Sequence, residues 1–475
     1  MEKETLQVDL AVIGAGPGGY TAAFRAADLG MNVALIEGDD RLGGTCLLRG
    51  CIPSKALLNT AHILHEAKEV SSRGISFGES KIDLSSLRGW KNKIIEQLSS
   101  GLQDLTKRRK IHSVKGWASF ESSTSLKVES KEGISRVTFD KAILATGSVP
   151  IKLPGVSIES DRLIDSTGAL DLNDIPKKLL VIGGGVIALE LGQVYGEFGS
   201  EVTVVELMDG ILPGVDRDLV RPLQKRLKSS FKNIYLRTKV TNVKEVDEGL
   251  EVTMTSEDGT RTEVFDKVLC AIGRKPHTNK LGLENTLVKT NRAGFVTVDS
   301  YQRTDDTNIF AIGDVTVGPM LAHKATAEGR LVAEYISGEP ITTDEKMIPG
   351  IVYTDPEVAW CGLSEAEAKE QGIKVSVGKF PWGASGRNLA IGRTDGLTKI
   401  IFEEKTERVL GVGIVGFNAG ELLAEGALAI EMAAVAEDLA GTIHAHPTLS
   451  ETLAGSTEVF LKKATDLYLG PPKKK

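Results

Sequence analysis

Cys46 and Cys51 are the residues of this sequence best suited to redox chemistry. They lie five positions apart in the run GGTCLLRGCIPSK, residues 43–55. On a regular α-helix this spacing places the two Cα atoms about 8 to 9 Å apart, whereas a disulfide needs less than about 7 Å. A bridge therefore requires a distorted helix, and Gly50 and Pro53 supply the conformational freedom and the missing N–H for one.

The position of both thiols also predicts reactivity. The helical run SKALLNTAHILHEA begins just after them, and the N-terminus of a helix lowers the pKa of a nearby thiol. Lys55 adds positive charge, so we expect both thiols to be acidified. The alternative is a pair of free cysteines packed as small hydrophobic residues. Cys270 and Cys361 stand alone in apolar segments, which favours buried structural cysteines and no metal site.

A nucleophilic thiol also needs a base, and the run HAHPTLSE near the C-terminus contains candidates. It holds His444, His446 and Glu451. Histidine titrates near neutral pH, and a carboxylate bound to one ring nitrogen fixes the tautomer and raises the basicity of the other. The run is therefore a candidate base with its carboxylate partner.

A βαβ unit that could position the thiols precedes them, in residues 8–37. An apolar strand leads into a turn with Gly14, Gly16 and Gly19, a helix follows, and Glu37 ends the second strand. Glycines allow a pyrophosphate to approach the helix N-terminus, and the acid binds ribose hydroxyls. The pattern indicates a dinucleotide site.

The same unit recurs with Gly183, Gly185 and Ala188 in its turn, and with Glu206 at the end of its second strand. Gly183 and Glu206 are 23 positions apart, as are the first glycine and the acid of the first unit. Glu206 should accept ribose hydroxyls and repel a 2'-phosphate, and no basic residue follows in LMDG. A second nucleotide is therefore expected, and NAD is preferred over NADP.

Each unit is followed by a matching segment, FDKAILATGSVP at 139–150 and FDKVLCAIGRKP at 265–276, with six of twelve positions identical. The first glycine of each unit lies 133 and 90 residues, respectively, before the glycine of these segments. The first unit is thus 43 residues longer, and we expect much of the excess after its second strand, where both cysteines lie.

The composition of the chain argues against two classes of partner, nucleic acids and membranes. A net charge of −7 and a pI near 5.7 argue against nucleic-acid binding. An apolar run of about 18 residues is lacking and the N-terminus is charged rather than signal-like, which predicts no membrane segment and a cytoplasmic location.

These motifs, in this order, resemble the pyridine nucleotide-disulphide oxidoreductases along essentially the whole chain. The runs GCIPSK, MLAHKA and AHPTLSE are more similar to the members that oxidise dihydrolipoamide than to glutathione reductases. Leu48 and Arg49 replace the commoner Asn-Val between the cysteines, and we expect them to tune the site.

The resemblance implies an α/β fold with two Rossmann-like domains that bind FAD and NAD and a C-terminal α+β dimerisation domain. The expected divisions are an FAD-binding domain with the redox insertion, an NAD-binding domain, a central segment completing the FAD site and an interface domain, at 1–150, 151–276, 277–347 and 348–475. The final run LGPPKKK, 469–475, is expected to be a solvated tail.

The resemblance also assigns roles. Cys46 would exchange with the substrate, Cys51 would face the flavin, His446 would be the base with Glu451 as partner, and His444 would support them. Lys55 would pair with Glu190 near the flavin. The implied FAD contacts are Gly14, Gly16, Gly19, Glu37, Lys55, Gly116, Thr146, Gly147, Ser148, Asp314, Met320, Leu321, Ala322 and His323. The other implied nucleotide contacts are Gly183, Gly185, Ala188, Glu190, Glu206, Val240 and Gly273.

The implied partners are a second copy of the chain and a lipoylated acyltransferase or H-protein of a multienzyme complex. Two alternatives remain. Another disulfide or mercuric reductase of the same family is disfavoured by Glu206 and by the lack of a terminal cysteine pair. A non-catalytic flavoprotein scaffold is disfavoured by the four intact residues Cys46, Cys51, His446 and Glu451.

Overall fold

The computed structural model describes residues 5–131, 133–156, 158–343, 347–468 and 470. The first four residues and the expected tail, apart from Gly470, lie outside them. The fold is mixed α/β, as expected, with two mainly parallel sheets and a separate antiparallel sheet near the C-terminus. Among the described residues, no helix combines the length and apolar character that a membrane crossing demands.

The first module is built around an apolar parallel sheet. Its elements are β1 (Leu6–Ile13), α1 (Pro17–Asp28), β2 (Val33–Glu37), α2 (Gly44–Arg49), α3 (Cys51–Glu69), α4 (Leu84–Arg108), β3 (His112–Lys115), β4 (Trp117–Ser122), β5 (Ser125–Ser130) and β6 (Gly133–Leu144). Strands β3, β2, β1 and β6 lie side by side and run parallel. Leu10, Ala11 and Val12 of β1 are fully buried, as in a sheet covered on both faces.

The second module repeats this arrangement. After β7 (Ser148–Pro150), β8 (Leu163–Ile164) and α5 (Ser166–Asp171), its elements are β9 (Lys178–Ile182), α6 (Val186–Glu197), β10 (Glu201–Val205), α7 (Arg217–Ser230), β11 (Asn233–Tyr235), β12 (Lys239–Val246), β13 (Gly249–Ser256), β14 (Gly259–Phe265) and β15 (Lys267–Cys270). The parallel order β11-β10-β9-β15 matches β3-β2-β1-β6, and the antiparallel strands β12 to β14 correspond to β4, β5 and the first part of β6.

The structure confirms where the first module is longer. Between β2 and β3 the chain runs through residues 38–111, which form α2, α3 and α4, whereas residues 206–232 between β10 and β11 contain only α7. The two cysteines lie in this longer segment. The helices that carry the two cysteines are therefore an addition to one copy of a repeated βαβ unit.

A central segment returns the chain to the first module. After β16 (Arg274–Pro276), which ends the second module, it contains β17 (Ile309–Ala311) and α8 (Ala322–Ile336). Strand β17 pairs with β6 and extends the first sheet. Helix α8 packs so closely on α1 that a Cβ at Gly329 would lie 2.4 Å from the carbonyl oxygen of Gly18. The helix begins at Ala322, so Met320 and Leu321 precede it.

The C-terminal part forms a five-stranded antiparallel sheet in the order β18-β19-β22-β21-β20, with helices packed against it. Its elements are β18 (Gly350–Val352), β19 (Glu357–Gly362), α9 (Glu365–Gln371), β20 (Val375–Pro381), α10 (Gly386–Ile391), β21 (Leu397–Glu403), β22 (Val409–Gly416), α11 (Ala419–Glu431), α12 (Ala436–Gly441) and α13 (Glu451–Leu461). Cys361 is buried here, and Cys270 is buried in β15, as the sequence predicts.

Candidate active site

The two candidate redox cysteines lie on either side of a break between helices. Helix α2 ends at Arg49 and α3 begins at Cys51, and Gly50 between them has φ −145° and ψ −112°. A Cβ at Gly50 would lie 2.8 Å from the carbonyl oxygen of Thr45, so glycine allows this close turn. Pro53 lies in the first turn of α3, where no intrahelical N–H bond is required. The expected distortion is therefore confirmed.

The two thiols have different acidities. A hydrogen bond from Cys46 lowers the pKa of Cys51 to about 7, and the charge of Lys55 contributes in the same direction. The same hydrogen bond and burial raise the pKa of Cys46. The expectation that both thiols are acidified is therefore wrong for Cys46, because two adjacent thiolates repel each other and only one is stabilised. Cys51, the first residue of α3, is therefore the more acidic of the two thiols.

Lys55 is fixed one turn further along α3. Its Nζ donates a hydrogen bond of 2.8 Å to Oε2 of Glu190 on α6. The side chain of Glu190 is only 4% exposed, and its Oε1 accepts a 3.0 Å hydrogen bond from the backbone N–H of Tyr353. The structure thus brings the predicted Lys55–Glu190 pair together from two modules, one turn along α3 from Cys51.

The first glycine turn has the shape of a phosphate cradle. A Cβ at Gly14 would lie 2.4 Å from the carbonyl oxygen of Ala145, and one at Gly19 would lie 1.8 Å from that of Gly14. Gly16 precedes α1 without a capping side chain, which leaves the N–H groups of the first turn to bind a ligand. A Cβ at Gly44 would approach the Cα of Gly16 to 2.5 Å, so α2 starts beside this turn. These residues fit a dinucleotide.

Glu37 lies next to that turn. Its carboxylate accepts hydrogen bonds from the N–H groups of Ala15, at 2.8 Å, and Asp39, at 3.0 Å. Burial raises its pKa despite these bonds. Gly116 donates its N–H to the carbonyl oxygen of Glu37 at 2.8 Å and has a φ of +150°. Glu37 and Gly116, both predicted to contact FAD, therefore lie together at the end of β2.

The residues predicted along the rest of the flavin site also meet. Ser148 donates its hydroxyl to Oδ2 of Asp314 at 2.5 Å, and Arg274 donates its Nε to the hydroxyl oxygen of Ser148 at 2.7 Å. Thr146 donates to the carbonyl oxygen of His277, and Gly147 has a φ of +72°. Asp314 is thus held at the end of β17, next to the end of β6.

The segment Met320 to His323 lies before and at the start of α8. The side chain of His323 contacts the carbonyl oxygen of Pro349 through Nε2 at 2.8 Å. One nitrogen of its imidazole is therefore already bonded to the backbone of Pro349. This agrees with a role for the backbone of His323 rather than its ring, and the proposed flavin contact stays a prediction.

The second glycine turn repeats the first. A Cβ at Gly183 would lie 2.5 Å from the carbonyl oxygen of Ala271. Gly185 precedes α6 and provides no capping side chain, and Ala188 is buried in the first turn of that helix. Glu206 accepts the N–H of Gly184 at 2.5 Å. Gly273 has a φ of +124°, which restricts the position to glycine.

Val240 is 7% exposed and packs in the same hydrophobic cluster as Val205, the residue before Glu206. It therefore lies in the core under the end of the second sheet. Its predicted contact with adenosine stays a prediction.

His446 and Glu451 form the expected pair. Nδ1 of His446 lies 2.8 Å from Oε1 of Glu451, and Oε2 of Glu451 accepts the N–H of Thr448 at 2.6 Å. Partial burial raises the pKa of Glu451, but these hydrogen bonds outweigh it and the pKa lies below its ordinary value. The side chain of His446 is 78% exposed, so its ring is accessible to a second molecule. His444 bonds to Glu425 at 2.7 Å.

Two family models cover most of the chain. The model described as pyridine nucleotide-disulphide oxidoreductase matches residues 8–329, and its dimerisation domain matches residues 348–456.

The chain belongs to the pyridine nucleotide-disulphide oxidoreductase family.

Several full-length relatives within this family carry the same activity name. Dihydrolipoyl dehydrogenase of Vibrio cholerae is 48% identical over the full length of both chains. That of Geobacillus stearothermophilus is 43% identical over 97% of both chains, and the mitochondrial one of Pisum sativum is 43% identical over 94% of this chain and 90% of its own. The family resemblance predicted from the motifs is confirmed.

Solved structures of family members have the same fold. LpdA from Mycobacterium tuberculosis is 27% identical, with a TM-score of 0.88 over 95% of this chain and 99% of its own. The flavoprotein disulfide reductase RclA from Escherichia coli, solved as a Cu(II) complex, is 29% identical, with a TM-score of 0.85 over 96% of this chain and 99% of its own. The match extends through all parts of the chain.

Three residues around this site were not found from the sequence. Tyr353 comes from β18–β19, nearly 300 positions after Lys55, and no periodicity links the two. Burial and the charges of both redox cysteines raise the pKa of Tyr20 on α1. Arg274 did carry a signal, because it occupies the position of Ser148 in the internal repeat and contacts that residue.

Ion pairs fix the C-terminal end of α3 to α6, to α7 and to the C-terminal part of the chain. Nδ1 of His65 lies 2.8 Å from Oε1 of Glu197 on α6, and Arg226 on α7 donates to Glu69 at 2.6 Å. Arg393 of the C-terminal part pairs with Asp355 and also with Glu69 at 3.5 Å. The redox helix is therefore anchored at the end opposite Cys51.

Among the residues described, one acidic cluster has metal-like spacing, Asp216, Asp218 and Glu365. Nζ of Lys399 donates a hydrogen bond to each of these three residues, at 2.6 to 2.8 Å. Because a buried ammonium group already balances the carboxylates, the cluster joins α7 to the C-terminal sheet as an ion-pair network.

Proposed function

We propose that this chain is a dihydrolipoamide dehydrogenase that oxidises protein-bound dihydrolipoamide and reduces NAD⁺ to NADH. The observation that carries the proposal is the asymmetric thiol pair at the break between α2 and α3, one thiol acidic and the other not. FAD, when bound, supplies a two-electron carrier between this pair and NAD. The full-length relatives, 42 to 48% identical, support dihydrolipoamide as the substrate.

The thiol chemistry follows from this asymmetry. One thiolate of dihydrolipoamide attacks Sγ of Cys46 in the oxidised pair, the Cys46–Cys51 bond breaks, and Cys51 leaves as a thiolate. The second substrate thiolate then attacks the first substrate sulfur, which closes the lipoamide ring and releases Cys46. Cys51 is the better leaving group because its pKa is the lower one. Two electrons have then passed from substrate to the cysteine pair.

The base would come from a second copy. We propose that His446 of the partner subunit takes the proton of the substrate thiol, and that Glu451 fixes the tautomer by binding Nδ1. The exposed ring of His446 and the match to a dimerisation domain support a homodimer. The lipoylated partner would be an acyltransferase or H-protein.

The proposal is tested by an assay with dihydrolipoamide and NAD⁺ on the purified, FAD-loaded protein. We expect NADH formation at a rate much above that with NADP⁺. Tightly bound FAD without turnover would favour a scaffold, and faster reduction of glutathione disulfide or mercuric ion with NADPH would favour another reductase of the family. Co-purification with a lipoylated protein would identify the complex.

Cofactor choice should depend on Glu206. We expect Glu206→Ala to raise the KM for NAD⁺ by about 10-fold, because loss of hydrogen bonds to a charged acceptor costs on this scale, and to reduce discrimination against NADP⁺. Steady-state kinetics with both nucleotides measures this. Glu201→Ala, an exposed substitution at the start of the same strand, is the matched control. An unchanged NAD⁺/NADP⁺ ratio in Glu206→Ala would contradict the assignment.

The pKa of Cys51 predicts a pH dependence. In the reduced FAD-loaded protein, long-wavelength thiolate–flavin absorbance should be full above pH about 7 and disappear as the pH falls through about 7, because protonation removes the thiolate. Cys46→Ala removes the hydrogen bond that stabilises this thiolate and should move the midpoint upward, towards an ordinary thiol pKa. A midpoint unmoved by Cys46→Ala would refute the role of that hydrogen bond.

A further inference from the structure

Tyr353 places an aromatic ring against the ammonium group of Lys55. Nζ of Lys55 lies 4.6 Å from the centroid of the Tyr353 ring, within the range of a cation–π contact. The same ammonium donates to Glu190 at 2.8 Å. Lys55 is therefore held from two sides, by a carboxylate of the second module and by a ring of the C-terminal part.

The backbone that carries this ring is held separately from the ring itself. Glu190 and Gln193, three positions apart on α6, both bind the turn between β18 and β19. Glu190 accepts the N–H of Tyr353 at 3.0 Å. Gln193 accepts the N–H of Asp355 at 2.7 Å and donates to its carbonyl oxygen at 2.9 Å. A substitution at position 353 therefore changes the ring and leaves these backbone contacts in place.

The position of Lys55 affects the redox thiol. Its positive charge favours the thiolate of Cys51, whereas the charge of Glu190 opposes it. The distances from Cys51 to these two opposite charges thus decide their net effect. The other titratable or charged groups that face this region are Cys46 on α2, Tyr20 on α1, Arg274 on β16, Glu357 on β19 and Glu421 on α11.

We propose that Tyr353 is a positioning residue of the redox site: its ring fixes the Lys55 ammonium beside Cys51, so that the C-terminal part of the chain sets the charge state of the thiol. This inference deepens the proposed function and rests on it. Tyr353 acts through Lys55 and has no part in the thiol exchange itself.

The test compares Tyr353→Leu with Tyr353→Phe in the FAD-loaded, reduced protein. The leucine removes the π face, and the phenylalanine keeps it. We expect Tyr353→Leu to raise the midpoint pH of the thiolate–flavin absorbance by about 0.5 to 1 unit, the scale that loss of one cation–π contact supports. Tyr353→Phe should keep the midpoint of the unsubstituted protein. A leucine variant with that same midpoint, or a phenylalanine variant that shifts as far as leucine, would overturn the proposal.

A double-substitution cycle separates positioning from packing. In a Lys55→Met background, Tyr353→Leu should add no further shift, because the ring has no ammonium to hold. A full additional shift would mean that Tyr353 acts by another route and would refute the inference. If the unsubstituted protein shows no long-wavelength absorbance on reduction, the proposed function fails, and the inference with it. If the absorbance is present but Tyr353→Leu leaves it unmoved, only the inference fails.

Discussion

We expect His446→Gln to lower the rate of dihydrolipoamide oxidation by about 10²- to 10⁴-fold, the usual contribution of a general base. Glutamine keeps a polar side chain of similar size but cannot accept a proton. FAD content and the thermal stability of the protein should be unchanged, because the ring is 78% exposed and bonds to Glu451 at the protein surface. His112→Gln, a substitution of another exposed histidine, is the matched control.

Co-expression of the His446→Gln and Cys46→Ser variants tests whether the base acts across the dimer. Neither His446→Gln nor Cys46→Ser should be active alone, but a mixed dimer would contain one site with both intact thiols and an intact histidine. In a statistical mixture, about a quarter of the unsubstituted activity should return. No recovery would mean that His446 acts within its own chain, or not at all.

Substitution of either redox cysteine should abolish turnover, by more than about 10³-fold, as for members of one catalytic unit. The spectra should separate their roles. Cys51→Ser should bind FAD but show no long-wavelength absorbance on reduction, because the thiolate is missing. Cys46→Ser should retain that absorbance, since Cys51 can still ionise. Purified variants, reduced anaerobically and scanned in the visible range, provide the measurement.

Cys270→Ala serves as the control, because that cysteine is buried in β15 and belongs to a core strand. It should keep both turnover and the absorbance. If the long-wavelength absorbance persists in Cys51→Ser, the roles assigned to Cys46 and Cys51 are wrong and must be reversed.

The sequence predicts those parts of the site that depend on local motifs. The two glycine turns, the acids at the ends of β2 and β10, and the break at Gly50 all follow from residues close together in the chain. The internal repeat also predicts correctly where the redox helices were added. These features are encoded by backbone sterics, and steric requirements are visible as glycine and proline positions.

Other features depend on contacts between distant segments. The raised pKa of Cys46 arises from its hydrogen bond with Cys51 and from burial, neither of which helix position alone reveals. Tyr353 reaches Lys55 only because α6 binds the turn after β18. Such contacts are fixed by how the modules pack, so motif spacing cannot predict them.

The short ladder between β7 and β16 ties the first module to the second. These strands are the last three residues of the two copies of the matching segment, and they pair antiparallel, with Ser148 opposite Pro276 and Pro150 opposite Arg274. Arg274 and Ser148 continue the link to Asp314 by side-chain hydrogen bonds. A displacement of one module against the other would have to break these hydrogen bonds together with the Lys55–Glu190 and His65–Glu197 contacts between α3 and α6, so the relative position of the two predicted nucleotide sites is fixed at several points.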